Sequence, residues 1–320
     1  MHLNARAARL CQQIIAQATD LRVQVHDDGQ GPTLIDCGIS APGGIAAGLA
    51  LARVCMAGLA DVSLLPGDAA VWNGPVVAVH TDHPVAACLA SQYAGWQIKH
   101  DEFFAMGSGP LRGLTGKEEL FQALGYPAER GFRVSEDTAV GVLETRDFPS
   151  RDVSREIADA CDVSELALYL LLAPTASQAG HIQVVARSVE TALHKLHELG
   201  FDLSRLESGY GVAPLPPVAK DDLAGIGRTN DAVMYGGNVT LWVRGDDESL
   251  AEIVPRIPSN VARDFGQPFA EIFARYDHDF YKIDPHIFSP AMITLVNMDT
   301  GRSFRAGETR PDVLHSSFVG

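Results

Sequence analysis

ELALYLLLAPTASQAGHIQVVARSVETALHKLHELG, residues 165–200, decides the fold class. Its first part, ELALYLLLAPT, is an apolar run of strand length that ends in proline, and TASQAG follows as a polar, glycine-containing turn. Val185, Val189, Ala192, Leu193 and Leu196 then recur every three or four residues, which is the buried stripe of a helix, and Gly200 supplies a stop. A strand, a short loop and a helix in that order is how α/β proteins build sites at the carboxyl ends of their strands.

Arg187, Glu190, His194 and His197 fall on the other side of this helix, so one face gathers a cation, a carboxylate and two imidazoles. As a solvated i,i+3 pair, Arg187 and Glu190 would contribute only about 0.2–0.5 kcal/mol. As an acid/base pair at the end of a strand they would be an active site. The two histidines read either as proton shuttles or as a hydrated face. Spacing admits all of these.

Working outward, 320 residues exceed the size at which one core usually stops growing, which predicts two domains. The charged stretch ETRDFPSRDVSRE, residues 144–156, is the expected boundary, giving an N-terminal α/β domain over 1–150 and a C-terminal α/β domain over 151–320. The 25 basic residues against 40 acidic ones give a net charge of −15, and no basic block interrupts that balance, so a nucleic-acid partner is not expected. Cys11, Cys37, Cys55, Cys88 and Cys161 are odd in number, with no C-x-x-C; they read as small buried residues in a reducing cytoplasm. The start, MHLNARAARLCQQIIAQATDL, has the pattern of an amphipathic helix and lacks the apolar core of a signal peptide. Residues 42–60 are nearly all apolar but contain Arg53 and many small residues, which predicts a closely packed buried helix and no membrane span.

Three further motifs carry chemistry. TLIDCG followed by SAPGG is a strand into a glycine turn into a helix, where free amides can hold an anion or can simply pack the helix. His80, Asp82 and His83, after a strand at Val76–Val79, form a polar knot that offers either metal ligands or, through Asp82, a cap for the helix opened by Pro84. DEFFAMGSGPLRG places Gly107, Ser108 and Gly109 on an expected flexible loop with Arg112 behind it, where a phosphate or carboxylate could be met. A helix over Lys117–Leu124, a break at Tyr126 and Pro127, and a strand near Thr138–Leu143 follow. The run from Glu207 to Gly237 is the densest in glycine, proline and polar residues, too rich in special backbone positions for a plain linker.

The strings SQYAGWQI, FFAMGSGP, VVARSVETALHKLHELGFD, GVAPLPPVAKDDLAGIGRTNDAVMYGG and DFYKIDPHIFSPA resemble the methenyltetrahydromethanopterin cyclohydrolases, strongly over roughly residues 85–300. That resemblance implies a two-domain α/β subunit with substrate in a cleft between the domains, a homotrimer, and a cytoplasmic role in one-carbon metabolism such as formaldehyde oxidation or methanogenesis. It implies reversible hydrolysis of a methenyl-tetrahydropterin to the N5-formyl product with no metal and no organic cofactor. The family's catalytic arginine and glutamate match Arg187 and Glu190. Ser108, Arg112, Arg228, Asp231 and Lys282 sit in the resembling strings and are candidate substrate contacts, though each also suits a turn or an ion pair. Two rival readings remain at this stage: a metal-dependent cyclic amidine or amide hydrolase using His80, Asp82 and His83, and a non-catalytic pterin or phosphate carrier using SAPGG and GSGPLR as anion cradles.

Overall fold

The computed structural model describes residues 1–93, 95–115 and 137–319. The helix expected over Lys117–Leu124 and the break at Tyr126 and Pro127 lie outside the described residues. The chain is mixed α/β and divides into two compact units, each discontinuous in sequence: residues 1–60 with 86–183, and residues 61–85 with 184–320.

The first unit holds a six-stranded sheet in the order β1-β2-β8-β7-β6-β5. Its strands are β1 (Gln24–His26), β2 (Thr33–Asp36), β5 (Trp96–His100), β6 (Phe103–Ser108), β7 (Ala139–Glu144) and β8 (Leu168–Ala173). β2, β8 and β7 are parallel, and antiparallel strands flank them. The continuous apolar reading of β8 has a physical cause, since both faces of this strand are covered. Leu171 and Ala173 pack with Ala7, Cys11 and Ile14 of the Leu3–Ala16 helix and Leu51 and Val54 of the Ile45–Cys55 helix. Leu168, Leu170 and Leu172 pack with Val153, Ile157 and Cys161 of the Arg151–Cys161 helix.

Small residues in the Ile45–Cys55 helix do allow close packing. A Cβ at Gly48 would stand 2.9 Å from Ile182 Cβ and 3.0 Å from Ala179 Cα, so the helix Gln178–Val185 lies directly against this backbone. All five cysteines are buried thiols, and burial pushes Cys11 up to about 12, well out of the reactive range.

Two expectations change here. The stretch 144–156 lies inside this unit: Glu144 ends β7, and Ser150 Oγ accepts from Val153 N at 3.3 Å to cap the Arg151–Cys161 helix. Likewise Gly107 and Ser108 are strand residues of a β5–β6 hairpin and not a flexible loop. A Cβ at Gly107 would meet Ile98 Cδ1 at 3.1 Å, so the glycine spares that side chain a shift of a few tenths of an ångström.

The second unit holds a six-stranded sheet in the order β12-β11-β10-β9-β4-β3. These are β3 (Asp61–Pro66), β4 (Pro75–Thr81), β9 (Leu206–Pro214), β10 (Asn238–Val243), β11 (Met292–Asn297) and β12 (Ser303–Gly307). Within this sheet only β10 and β11 pair in parallel among the described strands. The glycine-rich run 207–237 resolves into most of β9 and the helix Asp222–Gly236, which Asp221 caps by accepting from Ala224 N at 2.8 Å. Among the described residues no helix is long and apolar enough to cross a membrane.

Candidate active site

Residues 178–198 form two helices where the sequence predicts one. The first, Gln178–Val185, ends before Ala186, and the second, Ser188–Glu198, begins after Arg187, which occupies the N-cap position with φ −87° and ψ 8°. Glu190 therefore stands in the first turn of a helix, where the positive end of the macrodipole favours negative charge. Glutamate at that position is common on exposed helices. This one is not exposed: Arg187 and Glu190 are each only 6% accessible, so the solvated reading of the pair fails.

The seat of this helix is built from glycine. Ser188 and Val189, which lie between Arg187 and Glu190, rest on β9, where a Cβ at Gly211 would stand 2.5 Å from Ser188 Oγ and one at Gly209 would stand 2.9 Å from Val189 Cγ1. Gly209 and Gly211 are two apart on a strand and so share a face. Their missing side chains let the helix start approach the sheet. Val189, Ala192, Leu193 and Leu196 are fully buried, as the stripe predicts.

Farther along, Lys195 is a buried cation that sequence periodicity assigned to no role. Its Nζ donates to the His286 carbonyl at 2.8 Å, and burial, opposed by Asp284, pushes its ammonium down to about 8. His194 is half-buried beside Glu198, at 3.5 Å, and burial lowers it against the pull of that carboxylate. His197 is also half-buried. A lysine between two histidines carried no period-3.6 signal of burial, so the anchor to His286 was not legible.

The other candidates have structural partners. Ser108 is fully buried in the first unit, with Oγ donating to Val142 O at 3.3 Å, and Arg112 is fully buried with its guanidinium 4.5 Å from the Tyr93 ring. In the second unit Arg228 donates from Nε to Ser317 O and from Nη1 to Pro217 O, tying the chain's last helix to the segment before Asp222. It also lines a cavity of about 390 Å³ with Lys220, Glu271 and Ser317. Asp231 is fully buried, accepts from Phe269 N at 2.8 Å, and is pushed up to about 7 by burial, with Ser317 and the Phe269 amide opposing. Lys282 is exposed and pairs with Asp277 at 3.1 Å. Thus Glu190 and the two histidines share one helix with Arg187 at its N-cap, Arg228 and Asp231 share another, and Lys282 pairs with nearby Asp277.

The rival sites are spent differently. The His80 imidazole is exposed, 3.9 Å from Asp61, and Asp82 accepts from Ser208 Oγ at 2.7 Å rather than capping a helix. No group of three or more His, Cys, Asp or Glu side chains among the described residues could hold a metal ion. In the loop that leads into SAPGG the amides of Gly38 and Ile39, and within it those of Ser40 and Ala41, donate to the buried Asp36 carboxylate, at 2.6–2.9 Å, and Gly43 donates to Arg22 O. The chain supplies the anion itself.

The family model described as Cyclohydrolase (MCH) matches residues 2–318. A methenyltetrahydromethanopterin cyclohydrolase of Rhodopirellula baltica is 47% identical over 90% of this chain and 86% of its own. Proteins of the same name from Methylobacillus flagellatus and Methanococcoides burtonii are 43% and 38% identical, over 97% and 99% of this chain and 93% and 98% of theirs.

Proposed function

Because this chain belongs to the methenyltetrahydromethanopterin cyclohydrolase family, we propose that it hydrolyses the methenyl bridge of a tetrahydromethanopterin to the N5-formyl form, with Glu190 as the general base and Arg187 as its orienting partner. The observation that carries the roles is the burial of both side chains at the start of a helix seated on glycine, a placement that a solvated ion pair would not need.

The reaction asks for little beyond that pair. A methenyl bridge is a formamidinium cation, already electrophilic at carbon, so neither a metal nor an organic cofactor is needed to polarise it; the demand is for an oriented, deprotonated water. Glu190 takes one proton from water as its oxygen bonds to the bridge carbon, giving a neutral tetrahedral carbinolamine. That proton passes to the departing nitrogen as the carbon–nitrogen bond breaks. The remaining hydroxyl proton leaves as the formyl carbonyl forms, so each turnover consumes one cation and releases one proton. Arg187, rigid and permanently charged, holds the carboxylate in place.

Glu190→Gln tests this. It keeps shape and burial but cannot accept a proton, so folding should be native while kcat falls by on the order of 10² to 10⁴. Loss of the methenyl absorbance gives the rate, and assays after chelation separate this mechanism from a metal-dependent one. A Glu190→Gln protein with native kcat overturns the assignment.

A further inference from the structure

The cavity of about 390 Å³ in the second unit gathers two cations that no carboxylate pairs. Its lining comes from the start of the Asp222–Gly236 helix, the start of the Phe269–Arg275 helix and the end of the Pro311–Val319 helix. Loose packing does not account for it, because a Cβ at Gly227 would stand 3.0 Å from Ala270 Cβ, so two of these helices already touch at its wall. Its size is that of a small-molecule pocket.

Lys220 lines the cavity from an exposed position, and its amine makes no hydrogen bond or ion pair among the described residues. Arg228 is half-buried and held by neutral groups alone: Nε donates to Ser317 O at 3.2 Å, and Nη1 to Pro217 O at 3.1 Å and Val218 O at 3.4 Å. Those three carbonyls fix the plane of the guanidinium and leave Nη2 as its remaining donor. Holding a partly dehydrated cation without a counter-charge costs free energy. The chain has 40 acidic residues to 25 basic ones, so counter-charges are not scarce. Ser316 and Ser317 add two hydroxyls to the lining. Asp231, which the Ser317 side chain meets, is kept in its acid form below about pH 7 chiefly by burial, and so brings no opposing charge there. Glu271 is the one carboxylate in the lining among the described residues, and it pairs with neither cation.

We propose that this cavity binds a phosphoryl group, as a small phosphate monoester or as phosphate itself, with Lys220 and Arg228 supplying charge and Ser316 and Ser317 supplying hydroxyl donors. A phosphoryl group carries three strong acceptor oxygens, which suits four donor side chains drawn from separate segments. A pocket of this volume exceeds a bare phosphate, and Glu271 gives the remainder an acceptor for a hydroxyl of the ester. The hydrolysis assigned to Glu190 and Arg187 calls on none of these groups.

The test is isothermal titration of the intact protein at about pH 6, where Asp231 is neutral, with sodium chloride holding the ionic strength constant. Heat of binding is the readout because phosphate raises Tm in many proteins by exclusion from their surface. The probes are ribose 5-phosphate and inorganic phosphate, with ribose as the control. Both phosphates should bind saturably and compete, and ribose should not bind. Tighter binding of the ester places a phosphorylated small molecule in the site, and equal binding places the free ion. Lys220→Glu alters an exposed, unpaired side chain and should weaken Kd by on the order of 10- to 100-fold. Ala224→Leu keeps every charge, fills the cavity from a half-buried helix position and should abolish binding. Thermal unfolding without ligand checks that both variants are folded. Absence of binding by either phosphate, equal binding of ribose, or an unchanged Kd in either folded variant overturns the proposal. No pterin is present in the titration, so its outcome is separate from that of the cyclohydrolase reading.

Discussion

Gly211→Ala is the sharpest probe of how the Ser188–Glu198 helix and the roles proposed for Arg187 and Glu190 depend on their seat. The φ of Gly211 is not positive, so alanine is compatible with the backbone, and the effect is confined to one methyl group. That methyl would stand 2.5 Å from Ser188 Oγ, 3.0 Å from Val189 Cγ2 and 3.3 Å from Ser188 Cβ. Rotating the serine relieves the first contact only, and Ser188 is fully buried, so the helix start must withdraw by about 0.5–1 Å to restore ordinary contact distances near 3.5–4 Å. Overpacking of this kind costs about 1–3 kcal/mol, partly offset by about 0.4–1 kcal/mol from replacing glycine. A net loss of about 1–2 kcal/mol lowers Tm by roughly 2–8 °C for units of this size. Turnover should suffer more, because Arg187 and Glu190 flank the displaced residues and a misplacement of about 1 Å can cost about 10²-fold in rate. The assay pairs thermal unfolding with loss of the methenyl absorbance at 25 °C, where the variant remains folded. Adding Ser188→Ala removes the nearest atom and should recover part of kcat. Native kcat in Gly211→Ala refutes the reasoning.

Two further outcomes follow from buried carboxylates. Asp231, raised in the folded state to about 7 chiefly by burial, holds its proton while the unfolded chain has already lost it, so stability is undiminished below about pH 4, falls as pH rises toward 7, and stays reduced above it. Asp231→Asn should flatten that fall and gain on the order of 3 kcal/mol over the parent at pH 8 in denaturant unfolding; an unchanged slope removes Asp231 as its source. Asp36→Asn turns one of the two acceptor oxygens toward its amides as an N–H donor and should destabilise by about 2–4 kcal/mol, read as a fall in Tm, whereas an unchanged Tm would mean the loop does not depend on the charge.

The parts of the fold that were legible are those where a local pattern and its burial agree. β8 reads as a continuous apolar run because both faces are covered, and the Ser188–Glu198 helix reads from its stripe. The strand near Thr138–Leu143 also falls where expected, at Ala139–Glu144. What failed depended on partners far away in the chain. Periodicity leaves Arg187 and Glu190 open between solvent and a site, because it cannot represent a cation and a carboxylate enclosed by other elements. Gly107, Gly209 and Gly211 look like loop residues, yet each occupies a strand because a neighbour needs the room: Ile98, Val189 and Ser188 respectively. The free amides of SAPGG were a fair inference until Asp36, four residues upstream of Ser40, proved to use them. The boundary expected at residue 150 failed for the same reason, since β2 and β8 pair across more than a hundred intervening residues.

That pairing also dictates an order of assembly. As the chain leaves the ribosome, β2 waits for β8, Thr33 for Tyr169, before the central parallel ladder of the first unit can form. Meanwhile residues 61–85, a finished hairpin of β3 and β4, must wait for β9 beyond residue 206. Closing such long loops before any pairing energy is gained is slow, and it leaves sheet edges exposed during synthesis. A nascent chain halted at residue 150 therefore holds neither complete sheet, so cotranslational protection from proteolysis should arrive in two late steps, the first after residue 183 and the second only once β11 and β12 have emerged beyond residue 292.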